Sequence, residues 1–457
     1  MCRIAIRLGV AGLVLLSSQM AAAFEALAYT VVGPQGRSLV RVVTPAEQCP
    51  QIHWQGGNPQ AMDLRASAAR IPARSGGAQA QKEAVFEVNT CEAAWPAGVV
   101  AARVGAQTLN APVKKIKRIA VIADTGCRMK GSENAFQDCN DPQQWPFAQV
   151  AQSAADKKPD LVIHIGDIHY RESPCPTERV GCANSPWGYG SDAWEADFFK
   201  PARGLLMAAP WVFVRGNHEI CSRAGQGWFR FVDSGPWQEQ RSCNSPAADE
   251  EADYSAPYAI PVNAQTQYLI FDSSKAGNKA LSPQDAMYTK YQRQLEAIEK
   301  LLTFKKESIF LSHHPLLAVA PGRGDKPFQP GGNRSLLSVF QSRYAEQSFP
   351  EGVNWVMHGH IHAFESLSFS SGQPASLVMG NSGSVNEGVL PQNLPQSFEA
   401  VKGAQVEHYA SNMAYGFGIL DLPDDAQGPW QLTEYDVSGK ALIQCTLHKK
   451  KSLCKTL

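Results

Sequence analysis

Hydrophobic and polar positions follow two different patterns along the chain, and the first of them covers the N-terminal part. Between residues 24 and 112, short apolar runs are separated by breaks rich in Gly, Pro and Ala, and no long helical period occurs. The runs are Ala28–Val32, Leu39–Val43, Val85–Val88 and Val99–Val104. Short strands with frequent turn signals predict a small all-β, sandwich-like domain over residues 24–112.

From residue 113 onward, apolar runs of strand type alternate with helical stretches. Helical spacing is found over Gln149–Lys157 and Asp285–Leu302. The strand-like runs are Ile119–Ala123, Leu161–Ile165, Trp211–Val214, Tyr268–Phe271, Ser308–Leu311 and Val353–Met357, and later Phe364–Phe369, Ser376–Met379, Phe417–Leu420 and Trp430–Tyr435. This alternation predicts an α/β domain over residues 113–457. The stretches 126–145, 171–192 and 221–256 show little periodicity, and we expect them to be surface loops at strand ends.

The first 23 residues are expected to lie outside the fold. Arg3 and Arg7 precede an apolar run that ends near Ala21-Ala22-Ala23, which is the pattern of a secretory signal peptide. A short membrane anchor is the alternative, although the run is shorter than a bilayer span requires. We therefore expect a secreted or periplasmic protein that has no membrane association after signal removal.

Composition and charge exclude several classes of protein. The 457 residues include 42 Lys+Arg and 42 Asp+Glu, so the formal net charge is zero, and 44% are hydrophobic. Such a chain is neither disordered nor collagen-like, and it carries no overall positive field for nucleic acid. The basic cluster at 114–118 is interpreted as a solvated linker, because it contains no interleaved aromatic residue. The oligomeric state stays open.

Ten of the eleven cysteines follow the predicted signal peptide and fall in close couples. An oxidising compartment would let neighbours pair, and the lack of any Cys-x-x-Cys spacing argues against a zinc ribbon. The expected pairs are Cys49 with Cys91, Cys127 with Cys139, Cys175 with Cys182, Cys221 with Cys243, and Cys445 with Cys454.

Polar residues suited to metal binding follow five of the predicted strands. Seven of the eleven histidines lie in these turns. Open α/β sheets build their sites at the carboxyl ends of strands, so these residue types predict a metal site there. The turns are Asp124-Thr125-Gly126, Gly166-Asp167-Ile168-His169-Tyr170, Arg215-Gly216-Asn217-His218-Glu219, Ser312-His313-His314-Pro315 and His358-Gly359-His360-Ile361-His362.

The ordered set of turns resembles the signatures of the calcineurin-like metallophosphoesterase superfamily, and within it those of the purple acid phosphatase branch. The branch motifs are GDxG, GDxxY, GNH[DE], VxxH and GHxH, and the chain departs from them only at Ala123 and Phe310, neither of which supplies a ligand in the family. The resemblance covers residues 118–385 and implies a four-layer α-β-β-α sandwich.

The same resemblance implies two metal ions bridged by one carboxylate. A hard ligand set suited to Fe(III) would come from Asp124, Asp167, Tyr170 and His362. A second set, suited to Zn(II), Fe(II) or Mn(II), would come from Asp167, Asn217, His313 and His360. The implied activity is hydrolysis of a small-molecule phosphate ester by attack of a metal-bound hydroxide.

Three histidines are candidates for proton transfer to or from the substrate. His218 adjoins the ligand Asn217 but is not a ligand in the resembling family, so we expect it to protonate the leaving group. His314 and His169 are further candidates; the alternatives are that His314 packs beneath Pro315 and that His169 faces away from the substrate. We expect His164 and His358 to be structural.

Arginines and aromatic residues near the turns leave two interpretations open. Arg128, Arg171 and Arg215 would either hold a phosphate or form ordinary ion pairs. Trp187, Tyr189 and Trp194 would either rim the site or pack a loop. At the level of function, the leading hypothesis is a phosphomonoesterase; a phosphodiesterase or nucleotide hydrolase of the same fold, or a non-catalytic secreted binding protein, are the alternatives.

Overall fold

In a computed structural model of the protein, the structure describes residues 25–74, 82–303, 305–322 and 324–457. The predicted signal peptide lies outside these residues. Two large β-sheets pack face to face, and helices cover the outer face of each sheet. This four-layer α-β-β-α arrangement confirms the fold class expected from the sequence.

Among the described residues, the first sheet has eleven strands. Its central strands Arg118–Ile122, Leu161–His164 and Trp211–Phe213 run parallel, as the predicted α/β pattern requires. In spatial order the strands are Lys451–Thr456, Ala441–His448, Trp430–Asp436, Gly416–Asp421, Arg118–Ile122, Leu161–His164, Trp211–Phe213, Leu27–Val32, Ser38–Thr44, Asn89–Ala94 and Asp63–Ala66.

The second sheet has seven strands within the part of the chain that the structure describes. Thr266–Ile270, Glu307–Leu311 and Val353–His358 are parallel neighbours within it. In spatial order the strands are Tyr258–Pro261, Thr266–Ile270, Glu307–Leu311, Val353–His358, Ala375–Met379, Phe364–Phe369 and Val406–Asn412.

Helices cover both outer faces. Two helices pack on the first sheet, Phe147–Asp156 and Lys200–Ala208. A helical stretch over residues 191–199 directly precedes the helix Lys200–Ala208. Ala286–Leu302 and Arg334–Tyr344 pack on the second sheet. No helix among the described residues is long and apolar enough to cross a membrane.

Strand burial on both faces explains the continuous apolar runs in the sequence. In the strand Arg118–Ile122, Ile119 and Val121 point between the two sheets, whereas Ala120 and Ile122 pack under the helices. Alternate side chains of a strand point to opposite faces, so both sets must be apolar when both faces are covered.

The N-terminal strands form an all-β region that shares a sheet with the rest of the chain. Leu27–Val32 pairs in parallel with Trp211–Phe213, so the first sheet continues into residues 27–94. A separate four-stranded sheet packs on them, with the strands Gln107–Asn110, Ala101–Val104, Gln51–Trp54 and Pro59–Ala61. The domain boundary at residue 112 stays a prediction, and the sheet itself runs across it.

Part of the stretch 221–256 is buried, so the expectation of a surface loop is wrong there. Residues 225–232 are helical, and Phe229 and Phe231 are almost completely buried. Tyr29 Oη donates to Phe231 O at 2.7 Å, and Arg65 Nε donates to Phe229 O at 2.9 Å. The N-terminal strands cover this segment, a long-range contact that local periodicity does not reveal.

All five expected disulfides are present, so the pairing of near neighbours is confirmed.

The smaller two-stranded pairs are Ala69–Ile71 with Ala84–Phe86, Met129–Lys130 with Ala135–Phe136, and Val319–Pro321 with Phe328–Pro330. Cys127 and Cys139 join the stretch that contains the second pair to the end of the first central strand.

Candidate metal centre

The five polar turns meet at one edge of the two-sheet sandwich. Three of them follow parallel strands of the first sheet, and two follow parallel strands of the second. Carboxyl ends of parallel strands lie at the same edge of a sheet, so residues far apart in sequence come together there. The structure brings together all seven residues predicted as metal ligands.

The first predicted ligand group forms a compact cluster around a phenol oxygen. Tyr170 Oη lies 2.8 Å from Asp124 Oδ1 and 3.1 Å from Asp167 Oδ2. It also lies 3.0 Å from His362 Nε2. Tyr170 is 1% exposed, and a buried phenol among two carboxylates and an imidazole is a hard, anionic donor set.

The second predicted ligand group shares Asp167 with the first. His313 Nε2 lies 3.1 Å from Asp167 Oδ2 and 3.2 Å from Asn217 Oδ1. Donor atoms of Asp167, His313 and His360 all lie within 4.8 Å of one another. Asp167 therefore stands between two donor sets, as a bridging carboxylate requires.

Local backbone geometry explains the glycines of the motifs. A Cβ on Gly216 would lie 2.2 Å from Asp167 Oδ1, and a Cβ on Gly359 would lie 2.6 Å from Asp124 Oδ2. Asp124, Asp167 and His360 adopt positive φ angles of 54°, 55° and 70°. Non-glycine residues adopt positive φ angles only at an energetic cost, and residues strained in this way are concentrated at functional sites.

The electrostatics of the cluster suit cations. Although burial opposes a charged imidazole, the neighbouring Asp167 and Asp124 carboxylates raise the pKa of His313 to about 9. Burial and the same two carboxylates raise the pKa of the Tyr170 phenol. The carboxylates thus favour positive charge in a buried volume. The donor types are also those that hold metal ions, so these residues fit two metal ions.

Two buried carboxylates that the sequence reasoning did not single out hold the ligand turns in place. Glu219 accepts hydrogen bonds from the backbone N–H groups of Asp167 and Ile168, at 3.0 and 2.8 Å. Asp197 accepts from the N–H groups of Cys127 and Tyr170, at 3.0 and 2.7 Å. Glu219 belongs to the Gly-Asn-His-Glu turn, so its motif position was a signal; Asp197 lies in a helix with no such signal.

His218 lies against the centre without joining either donor set. Its ring packs on Tyr170 with 3.8 Å between ring centroids, and its Nε2 lies 3.8 Å from Asp167 Oδ2. On the other side of the ring, Nδ1 lies 3.0 Å from His169 O, 3.3 Å from Glu172 Oε1 and 2.7 Å from Arg223 Nη2. These contacts fix the ring orientation.

Glu172 and Arg223 form an ion pair beside His218 that sequence reasoning missed. Burial opposes ionisation of Glu172, yet Arg223 and His218 hold the pKa of that carboxyl well below its usual range. Burial and the Arg223 guanidinium lower the pKa of His218. The partners of His218 come from 46 residues earlier and 5 residues later in the chain, so spacing in sequence gives no hint of the cluster.

The other two candidate histidines have different surroundings. The His314 ring lies 4.3 Å from the His360 ring, measured between centroids, and His314 Nδ1 is 3.3 Å from Ser273 Oγ. It therefore reaches the centre. His169 is fully buried between Tyr189 and Trp194, with ring centroids 5.6 Å from each, so its ring is not brought to the donor sets.

The remaining histidines of the strands behave as structural residues. Burial lowers the pKa of His164 and of His358 to about 3, so both rings are neutral. His164 Nε2 lies 2.9 Å from Thr125 Oγ1, and His358 Nδ1 lies 3.0 Å from Ser312 Oγ. These contacts tie neighbouring strands together directly behind the ligand turns.

The three arginines next to the turns are ion-paired. Arg171 Nε lies 2.6 Å from Asp197 Oδ1, and Arg215 Nη2 lies 3.4 Å from Asp253 Oδ1. Arg128 pairs with Glu133 and Glu387.

Trp194 is fully buried, so packing rather than a substrate rim is its role, and Trp187 is partly buried against the same core.

A cleft of about 710 Å³ opens beside the predicted ligands. His360 and His362 line the cleft together with residues 329–334. Leu390, Val401 and Met413 add an apolar wall. The polar side chains of Asn278 and Glu387 also line the cleft. The cleft has the size of a small organic molecule rather than of inorganic phosphate alone.

Comparison with known proteins agrees with this geometry. Purple acid phosphatase PPD1 from yellow lupin (Lupinus luteus) seeds superposes with a TM-score of 0.52 at 14% identity, covering 94% of this chain and 74% of the lupin chain. A structure of PhoD gives a TM-score of 0.51 at 12% identity, covering 94% and 92%. At such identities the likeness shows the fold alone, and a search of curated proteins finds no match.

The sequence match to a family is broader than the metal-binding turns. The family model of calcineurin-like phosphoesterases matches residues 117–364, more than half of the chain and the stretch that supplies every predicted ligand. Members of this family are metal-dependent phosphoester hydrolases. With its four-layer sandwich and its clustered Asp, Asn, His and Tyr side chains, the chain belongs to the calcineurin-like phosphoesterase family.

Proposed function

We propose that the protein is an exported phosphomonoesterase with a dinuclear centre of the purple acid phosphatase type. The observation that carries the proposal is the pair of donor sets that share Asp167, with Tyr170 in one of them. Asp124, Tyr170 and His362 would complete the set for Fe(III), and Asn217, His313 and His360 the set for Zn(II), Fe(II) or Mn(II). Five disulfides support an oxidising compartment outside the cytoplasm.

When bound, the two ions would act as Lewis acids on the phosphoryl group and make water a stronger nucleophile at neutral or acidic pH. His218 would donate the proton that the leaving oxygen needs, through Nε2, the ring nitrogen that faces Asp167. The contacts of Nδ1 with His169 O and Glu172 would keep the ring in that orientation. His314, packed on His360, would offer a second imidazole to the phosphate.

The proposal is tested on the purified full chain by metal analysis and phosphate release. We expect two metal ions per chain, loss of activity on chelation, and faster release from p-nitrophenyl phosphate than from bis(p-nitrophenyl) phosphate. The opposite substrate preference would favour the phosphodiesterase alternative. A metal-loaded protein that releases no phosphate from any ester would contradict the proposal and favour a binding protein.

His218→Ala tests the proton donor. The variant should retain its metals and lose about 10²–10⁴-fold in turnover, because it removes an acid and not a ligand. The loss should be smaller for p-nitrophenyl phosphate than for alkyl phosphates, since a good leaving group needs less protonation. His408→Ala is the matched control, because that side chain is 50% exposed and belongs to neither predicted donor set. Equal losses for aryl and alkyl esters would argue against this role.

A further inference from the structure

Among the described residues that line the cleft beside the predicted ligands, Arg334 is a basic side chain whose role the phosphoryl chemistry leaves open. Arg334 begins the helix Arg334–Tyr344 and is exposed on the cleft wall. Within the described part of the chain, no carboxylate lies at ion-pair distance from its guanidinium. The acidic residue of the same cleft, Glu387, is already paired with Arg128. Among the described cleft residues, the Arg334 guanidinium is therefore a charge that is free to meet a ligand.

The backbone before Arg334 is held directly against the predicted ligand turns. Asn333 N donates to Pro315 O at 2.8 Å, immediately after His313 and His314. A Cβ on Gly331 would lie 2.9 Å from Cδ1 of Ile361, the residue between His360 and His362. The start of the helix is thus fixed relative to both histidine pairs, and the position of Arg334 follows from that packing.

A second polar group lies next to Arg334. Asn333 Nδ2 donates to Gly277 O at 3.1 Å, and Ser335 Oγ donates to the same carbonyl at 2.9 Å. These bonds join the start of the helix to the loop between the strand Thr266–Ile270 and the helix Ala286–Leu302. Asn278 of that loop also lines the cleft. The Arg334 guanidinium and the Asn278 amide therefore line the same cleft as His360 and His362.

We propose that Arg334 is a specificity-determining residue and that the preferred substrates are phosphate esters whose leaving group carries a second anionic group, such as a carboxylate. The inference rests on the proposed function, because it assumes that the phosphoryl group occupies the metal centre. Planar guanidinium groups bind carboxylate and phosphate oxygens with two parallel hydrogen bonds. The apolar wall at Leu390, Val401 and Met413 would contact the carbon skeleton between the two charges.

Hydrolysis-resistant ligands test the proposal without turnover. Calorimetry on the purified, metal-loaded chain would compare ω-phosphonoalkanoates of increasing length with alkylphosphonates of the same lengths. We expect the carboxylate to tighten binding about fivefold at the length that spans the cleft, the upper range for an exposed ion pair. The preference should disappear in Arg334→Gln and persist in Arg103→Gln, an exposed arginine on a strand of the N-terminal region.

Turnover gives a second readout on a matched pair of esters. Wild type should have a higher kcat/KM for 3-phosphoglycerate than for glycerol 3-phosphate, and Arg334→Gln should remove the difference mainly through KM. Equal binding of phosphonates with and without the carboxylate at every length, or a preference that survives in Arg334→Gln, would overturn the inference and leave the proposed function intact. Failure of every phosphonate to bind would overturn the inference, and only a metal-loaded protein that also releases no phosphate from any ester would overturn the proposed function.

Discussion

The N-terminal strands should contribute measurably to the stability of the catalytic region through one buried arginine. Arg65 has a side chain with 0% exposure, and its Nη2 and Nη1 donate to Phe229 O at 2.8 Å and Gly235 O at 2.9 Å. Nη1 also lies 2.8 Å from Glu92 Oε2. Arg65→Met retains most of the side-chain volume but leaves both carbonyls and the carboxylate without these donors.

The expected cost follows from what the substitution leaves behind. Removing one partner of a buried ion pair costs about 3–5 kcal/mol, because the other charge stays buried. Glu92 is 21% exposed and keeps Arg41 Nη2 at 2.9 Å, so we expect a loss near the lower end, about 3 kcal/mol. That is a large fraction of the roughly 5–15 kcal/mol by which domains are usually stable.

Equilibrium denaturation under non-reducing conditions would measure this loss, with Arg70→Met as the matched control. Arg70 lies on the next strand along the chain, Ala69–Ile71, and pairs with Glu83, but the two side chains are 66% and 43% exposed. The control should therefore lose less than about 1 kcal/mol. Hydrogen exchange of residues 228–235 should also accelerate in Arg65→Met. If the two variants were equally stable, the N-terminal strands would not anchor this segment and the reasoning would fail.

Two further predictions concern a predicted ligand and a buried carboxyl. Iron-loaded wild type should show a visible phenolate-to-Fe(III) absorption band that Tyr170→Phe abolishes and Asn217→Ala retains; a colourless iron-loaded wild type would contradict the purple-type centre. Burial raises the pKa of Glu434 to about 8, against an opposing hydrogen bond from Asn381. The folded protein therefore binds this proton more tightly than the unfolded chain does, in which the pKa is about 4.3. The resulting contribution to the free energy of unfolding is complete below about pH 4.3 and is lost as the pH rises toward 8. Glu434→Gln should therefore gain stability relative to wild type between pH 5 and pH 9, by a few kcal/mol at most; parallel pH profiles of unfolding free energy would refute this.

Local sequence determined the elements of the fold because their signals depend on neighbouring residues. The strand Arg118–Ile122 and the helix Ala286–Leu302 lie within one or two residues of the predicted runs. The pairing of neighbouring cysteines was an expectation that spacing alone could not prove, and the structure confirms it. The five polar turns could be recognised because each one follows a predicted strand and strand ends of this fold meet at one edge, whereas the choice of seven ligands within them came from the resemblance to the purple acid phosphatase motifs.

Only the tertiary structure decided which partners the site residues have. His169 lies between two metal-binding candidates in sequence, yet Tyr189 and Trp194 surround its ring. Asp197 reaches the ligand turns from a helix, across 70 residues to Cys127. Such contacts depend on how layers pack, and no periodicity within a segment encodes them.

The same limit applies to the N-terminal region and to the cleft. The strand composition of residues 27–110 was predictable, but the parallel pairing of Val31 with Trp211 was not, because strand alternation does not specify a partner. Arg334 carries no motif, and the packing of Asn333 against Pro315 and of Gly331 against Ile361 places it beside the predicted ligands. The sequence determined which chemistry the chain carries, and the packing of distant segments decided which side chains surround it.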